Sequence, residues 1–593
     1  MLTGATSTHY QLGQVFSHKS IIAWDKTHVG RLFATSVSSQ ILLRLTINYC
    51  PSGLNSDNTL KMLTTKTLKR YGIFVGYRAL SYTLEFLSYL VSLLFSPRRS
   101  ALPLIDDHNL VTPATKLSQQ IKGGHISSEE VVESFIARIK RVNPIINAVV
   151  DRRFEQALKE AREIDRKLAD ARNGQGDKSI LDLPLVGVPI SVKETISVDG
   201  HSFTGGLLGR KFIKAPKNAD AVDLLIKAGL IPICLTNIPE MAMWWDSSNP
   251  VYGRTNNPYD LSRIPGGSTG GEAALLAAGG SVVGIGSDIA GSIRIPCNFC
   301  GVFGHKPTPF VVSTQGMYPL VKGDREKLLG LGPLTRYASD LLPMLRIMAG
   351  SRVDKLRLDE PVDLSKLKVY YIEELGDPLA ARCNSDILMG LKEAVGHLVN
   401  KHKMVAEKIS FQEFRYGFLL WSAEANTEPN APSMAVQFKD GRNEELNPLL
   451  ELVKKVFQVS EHNMNSIMAT TLEKFSPACG SKGNKLLIKR AADLRKKFND
   501  IVGDNGILLL PTHPEPAPKH FTTLLKVFNV SYTSVTTVLQ APITQCPLGM
   551  TKEGLPFGVQ IIARPYNDRL TIAVAQEFER AFGGWVAPCR VDV

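Results

Sequence analysis

Ile264-Pro265-Gly266-Gly267-Ser268-Thr269-Gly270-Gly271-Glu272, continuing as AALLAAGGSVVGIGSDIAGSIRIP to Pro296, is the stretch whose reading decides the fold. Glycines at this density bring backbone close to something that a Cβ would hold off. The Ala-rich run after Glu272 reads as a short helix, and the apolar segment beyond it as a short strand. A loop that opens a helix presents free N–H groups, suited to an anion or a developing oxyanion. In a βαβ unit the helix runs back against its strands, so its N-terminus and the strand C-termini share one sheet edge. A helix of about eight residues rises about 12 Å, and a strand of about four returns about 13 Å. Ser268 and Ser292 are therefore expected to meet at that edge.

Working outward, Leu185 to Val192 alternates, with Val186, Val188, Ile190 and Val192 on one face, and reads as a strand ending at Lys193. That end is where open α/β sheets keep their ligands. Pro189 predicts an edge or irregular position for the strand. Ser127/Ser128 followed by Glu129-Glu130 predicts a capped helix with Val131, Phe135, Ile136 and Ile139 on its apolar side and basic residues at its end. Arg153 to Ala171 reads as a second helix, broken by Asn173-Gly174-Gln175-Gly176. Ala221–Ala228 and Leu230–Leu235 repeat the helix–strand rhythm. The pattern predicts an α/β fold with helices on a largely parallel or mixed sheet, from about Thr112 onward.

The chain has 593 residues, 44% hydrophobic and 21% charged, a globular balance that excludes disordered and collagenous classes. Of the net charge of +13, residues 1–100 supply a disproportionate share, with eleven Lys/Arg against three Asp/Glu. No aromatic-interleaved basic motif accompanies that charge, so no nucleic-acid partner is expected. The eight cysteines are scattered and read as mostly free thiols. Cys297 and Cys300 lack a second pair or neighbouring histidines, so they read as packing residues; no metal or cofactor is expected.

Between Tyr71 and Phe95 the chain reads YGIFVGYRALSYTLEFLSYLVSLLF, charged only at Arg78 and Glu85. As a helix it carries one polar stripe, Ser81, Glu85, Ser88 and Ser92, on an otherwise apolar surface. It is read as a membrane anchor, spanning or interfacial, on an intracellular membrane such as the endoplasmic reticulum or a lipid droplet. The alternative is a helix that caps the core or joins a homodimer. Three segments follow: a basic leader (1–70), the anchor (71–99) and a catalytic domain (112–590). Asn529-Val530-Ser531 is a glycosylation sequon that would matter only in a lumen.

The glycine-rich stretch admits rival readings. Gly266-Gly267-Ser268-Thr269-Gly270 fits the G-x-S-x-G nucleophile elbow, with His305, His397, His402, His462, His513 or His520 as the base. That elbow needs a buried strand before it, and Asn256-Asn257-Pro258-Tyr259-Asp260 reads as loop. A phosphate loop needs Gly-Lys-Ser/Thr at its end, where Glu272 would repel the phosphate. Tight turns alone would account for any one feature, but not for their joint occurrence.

Together these segments resemble the amidase signature family. VPISVK ends at Lys193, GGSTGGE contains Ser268, and GSDIAGSIRIP contains Ser292. The likeness extends over residues 112–590, through SSNPVYGRTNNP (247–258), GVFGHKP (301–307) and PITQCPLGMTKEGLPFGVQIIARPYND (542–568). GPLTRYASDLLPMLRIMAG (332–350), LLLPTHPEPAPKH (508–520) and FGGWVAP (582–588) are similar to its animal fatty-acid amide hydrolase branch.

The resemblance implies a large mixed sheet covered by helices and a serine hydrolase of lipid amides. It implies Ser292 as nucleophile, Ser268 as proton shuttle after a cis Gly267–Ser268 bond, and Lys193 as base. Backbone N–H groups of Ile289, Ala290, Gly291 and Ser292 would form the oxyanion hole, with Asp288 and Arg294 as a structural ion pair. Lys193 can act as a base only when neutral, so Glu194 and Glu272 are expected to point away from it. Thr269 stands where the family has serine or glycine. Ala290 stands where relatives have glycine and would be strained at positive φ. Two other functions are open: the amidase subunit of a transfer-RNA-dependent amidotransferase, and a non-catalytic protein of this fold.

Overall fold

Thirteen strands run through the residues described by the computed structural model, which are 102–440, 444–474 and 476–593. They are β1 (Val149–Arg152), β2 (Pro189–Lys193), β3 (Ile231–Thr236), β4 (Ser248–Asn249), β5 (Gly253–Arg254), β6 (Val283–Asp288) and β7 (Phe303–Lys306). After these come β8 (Gly330–Thr335), β9 (Lys368–Tyr371), β10 (Val405–Lys408), β11 (Gly506–Pro511), β12 (Ile543–Met550) and β13 (Pro556–Ile562). Eleven form one sheet in the order β1-β3-β2-β6-β8-β7-β12-β13-β11-β9-β10, while β4 and β5 make a separate ribbon. The sheet is mixed as expected: β3, β2 and β6 run parallel, and β8, β7, β12 and β13 alternate antiparallel. The expected leader and anchor lie outside the described residues. Among the described residues no helix is long and apolar enough to cross a membrane.

The parallel trio positions the chemistry. Because β2, β3 and β6 point the same way, Lys193, Thr236 and Asp288 end at one sheet edge. The helix Gly270–Ala277 precedes β6, and all of its residues are buried, as its apolar AALLA composition requires. Pro189 is neither at an edge nor in a ladder interior: β2 lies between β3 and β6, and proline opens it, where a missing N–H is tolerated. The ladder absorbs the irregularity as a register shift between Ile190 and Ser191. Leu185–Val188, expected within the strand, form the turn that leads into it.

The capped helix forms over Ser128–Ile146, with the Ser127 hydroxyl accepting from Glu130 N–H at 3.0 Å. It runs past the basic residues and through Pro144, so the expected basic last turn is absent. Buried Arg138 on that helix donates to the Ala278, Pro103 and Leu104 carbonyls at 2.8, 2.8 and 3.0 Å. It thereby ties the segment before Thr112 into the fold, where Ile105 pairs with Val591 near the C-terminus. Val188, Ile190, Val192, Ile233, Val283, Ile285 and Leu331 fill the core beneath this half of the sheet. Each large aliphatic side chain buried there contributes about 1.5–3 kcal/mol relative to exposure.

Candidate active site

Alternation along β2 turns Ser191 and Lys193 to the face opposite Val192. Lys193 is fully buried, and its Nζ donates to Ser268 Oγ at 2.7 Å, Thr269 Oγ1 at 3.0 Å and Ser287 Oγ at 3.0 Å. These partners are neutral oxygens. Burial lowers the lysine to about 7, and the more distant Asp288 and Glu272 carboxylates only partly oppose that shift. Both neighbouring glutamates turn elsewhere. Glu272 accepts from the Ser191 hydroxyl and from Thr236 Oγ1 at 2.8 Å. Glu194 accepts from Thr204 N–H at 2.6 Å and Gly205 N–H at 3.1 Å. Burial pushes both carboxyls up to about 7 against these hydrogen bonds.

The Ser268 loop is built from close backbone approaches. The Gly267–Ser268 peptide bond is cis. A Cβ on Gly267 would lie 2.9 Å from the Trp244 carbonyl oxygen, so only glycine fits. The Ser247 hydroxyl spans the loop, donating to the Gly266 carbonyl at 2.9 Å and accepting from Gly270 N–H at 3.1 Å. Gly271 N–H donates to the Asn237 carbonyl at 3.1 Å. The first two amides of the helix Gly270–Ala277 are therefore already bonded, which corrects the expectation of an open N-terminal anion site there. The helix also begins two residues before Glu272. Thr269 is accommodated because Gly286 lies opposite: a Cβ there would come within 2.6 Å of the threonine methyl.

Thr269 N–H donates to the Ser292 carbonyl at 3.1 Å, fastening the second serine's residue beside the first loop. Ser268 is buried, whereas Ser292 is partly exposed and lines a cavity of about 510 Å³ with Gly267, Ile289, Ala290 and Gly291. Met243, Trp244, Trp245, Ile295, Phe418, Trp421, Leu472 and Val530 give the cavity apolar walls, with Arg325, Glu445, Glu473 and Lys474 also lining it.

Asp288 and Arg294 brace this loop as a fully buried ion pair, with Arg294 Nη2 donating to Asp288 Oδ1 at 2.9 Å. Burial alone would raise the aspartate, but the Arg294 guanidinium holds it at about 2. The remaining Arg294 donors reach the Thr533 carbonyl, Thr536, Thr537 and Gln560 at 3.0, 2.6, 2.7 and 2.6 Å. Asp288 Oδ1 also accepts from Gly291 N–H at 2.7 Å, so that amide is engaged and not free for a substrate oxygen. The positive φ of the loop falls on Gly291, at 128°, and Ala290 is not among the positive-φ residues. The strain expected at Ala290 is therefore absent.

The histidines offered by the nucleophile-elbow reading are occupied elsewhere. His305 meets Thr544 and Asp568, His462 meets Glu240, and His513 and His520 meet backbone carbonyls. His397 and His402 converge with Glu577, their ligand atoms within 4.8 Å of one another. Lys401 and Arg580 donate to the same carboxylate, so an added cation would meet positive charge. The seven described cysteines are free, and Cys297 and Cys300 pack on the short helix Arg294–Phe299 and at its end. Asn529 of the sequon is buried, and its side-chain amide donates to Glu515 at 2.9 Å.

Sequence reasoning missed Ser287, Ser247, Trp421 and Thr533. Ser287 was within reach, one residue before Asp288 at the end of β6. The others contact the site across large sequence separations that no local pattern reports.

The amidase family profile matches residues 130–572, and the chain belongs to the amidase family. It is an amidase-family hydrolase, similar to fatty-acid amide hydrolase 2 of Homo sapiens at 42% identity over 81% of this chain and 90% of that protein. Fatty-acid amide hydrolase 2-B of Danio rerio is 41% identical over 87% of this chain and 99% of its own length. A solved fatty acid amide hydrolase shares the fold, with a TM-score of 0.66 at 24% identity over 81% of this chain and 86% of that one.

Proposed function

We propose that the protein hydrolyses long-chain fatty-acid amides to fatty acid and amine, with Ser292 as nucleophile, Ser268 as shuttle and Lys193 as base. The observation that carries this reading is a fully buried lysine among hydroxyls with, among the described residues, no carboxylate within ion-pair distance. A neutral Lys193 takes the Ser268 proton as Ser268 takes that of Ser292, and the Ser292 oxygen bonds to the substrate carbonyl carbon. The oxyanion draws on the N–H groups of Ile289, Ala290 and Ser292, since Gly291 serves Asp288. Collapse breaks the C–N bond, and the proton returns through Ser268 to the departing nitrogen. Water then attacks the acyl-enzyme by the same relay and releases the acid.

The apolar cavity beside Ser292 supports a lipid substrate. The exposed helix Pro448–Val456 supports membrane contact: Leu449 and Val456 are 72% and 79% exposed beside Lys454 and Lys455. It packs on the helix Met464–Glu473, which lines the cavity. A turnover panel of long-chain amides against short polar amides, glutamine included, tests the substrate class. Preferential long-chain turnover is expected. Glutaminase activity without lipid-amide turnover would favour an amidotransferase subunit, and no turnover at all would favour a non-catalytic role.

A further inference from the structure

Two helices that pack together, Gly417–Ala425 and Ser531–Val538, each send one donor to successive carbonyls of the Ser292 loop. Trp421 Nε1 donates to the Ile289 carbonyl at 2.7 Å, and Thr533 Oγ1 donates to the Ala290 carbonyl at 2.6 Å. Both peptides are trans, so each N–H points opposite to its own carbonyl. The carbonyl held by Thr533 shares its peptide with the Gly291 N–H, which Asp288 occupies. The carbonyl held by Trp421 shares its peptide with the Ala290 N–H, one of the donors the reaction needs. The Trp421 ring also lines the cavity beside Phe418, with ring centroids 5.8 Å apart.

We infer that Trp421 is a positioning residue for the oxyanion site, fixing the Ala290 amide through its indole N–H while its ring forms the acyl-chain wall. The inference rests on the assignment of Ser292 as nucleophile with its oxyanion at residues 289–292. It gives one side chain two separable duties. A chain lying against the ring restrains the indole, and the indole restrains the peptide that stabilises the tetrahedral oxygen. A substrate too short to reach Trp421 leaves that peptide less firmly held.

Trp421→Phe separates the duties, because it keeps an aromatic wall and removes only the donor. A neutral hydrogen bond of this kind is worth about a factor of ten. The variant should lose about tenfold in kcat on a long-chain amide while KM stays within about twofold. Two probes sharpen the reading. A long-chain trifluoromethyl ketone, which binds as an oxyanion adduct, should weaken about tenfold, and the matching alcohol should bind as in the parent. Unchanged ketone binding would overturn the inference, as would equal weakening of ketone and alcohol, which would make Trp421 a wall and nothing more. Trp421→Leu, which likewise lacks a donor and keeps an apolar wall, gives the same comparison if the phenylalanine variant does not fold. Ser292→Ala measured alongside keeps the two levels apart: if it leaves ketone binding unchanged, the nucleophile assignment fails and this inference with it.

Discussion

Lys193 and Asp288 are equally buried and end neighbouring strands, yet their surroundings settle their charge in opposite ways. Among the described residues Lys193 has only hydroxyl and carbonyl oxygens within hydrogen-bond reach, and burial brings it down to about 7. Asp288 has the Arg294 guanidinium, with the Lys306 charge and the Gly291 amide in support, which hold it at about 2 despite the same burial. Burial alone therefore does not decide the charge state; the partner does. A buried group that must exchange a proton is surrounded by neutral dipoles, and one that must hold a loop in place is given a counter-charge.

This contrast predicts different kinds of damage. The largest effect is on catalysis. Ser292→Ala should lower amide turnover by about 10⁴-fold or more and abolish fluorophosphonate labelling; persistent labelling would break the assignment of the nucleophile. Lys193→Met should follow, with a loss of roughly 10²–10⁴-fold in rate. Its stability cost in denaturant titration should be small, because no charge is stranded.

Asp288→Asn should invert that pattern by leaving buried Arg294 unpaired, which costs about 3–5 kcal/mol of stability. A melting transition unchanged from the parent would show that the neutral acceptors around Arg294 suffice without the aspartate. The smallest effect belongs to the threonine that supplements the hydroxyl cage. Gly286→Ala, which presses a methyl onto Thr269, should cost about 1–3 kcal/mol by overpacking. The Thr269→Ser background should relieve part of that cost, and failure to do so would place the strain elsewhere.

The half of this comparison built from local sequence was legible in advance. Glycines around Ser268, an apolar helix and a short strand returning to Ser292 define one sheet edge, and β2 delivers Lys193 to it. The amidase likeness named the ion pair as well. Several expectations failed for physical reasons. The helix N-terminus is not an open anion site, because Ser247 and the Asn237 carbonyl take its first amides. The Gly291 amide belongs to Asp288. Pro189 does not lie at an edge, but the irregularity it was expected to mark is there, as a register shift between Ile190 and Ser191. Trp421 and Thr533 escaped notice because amphipathic spacing assigns side chains to a face and says nothing of which distant carbonyl they bond.

The most direct test of the central claim is the pH dependence of kcat/KM on one long-chain amide, measured for the parent and for Lys193→Ala. Only the neutral amine can accept a proton, and a lysine at about 7 becomes neutral as pH rises through that value. The parent rate should climb between about pH 6 and 8 and then level off, while the variant should be slow and lack that limb. A variant that keeps the same rise would contradict Lys193 as the base.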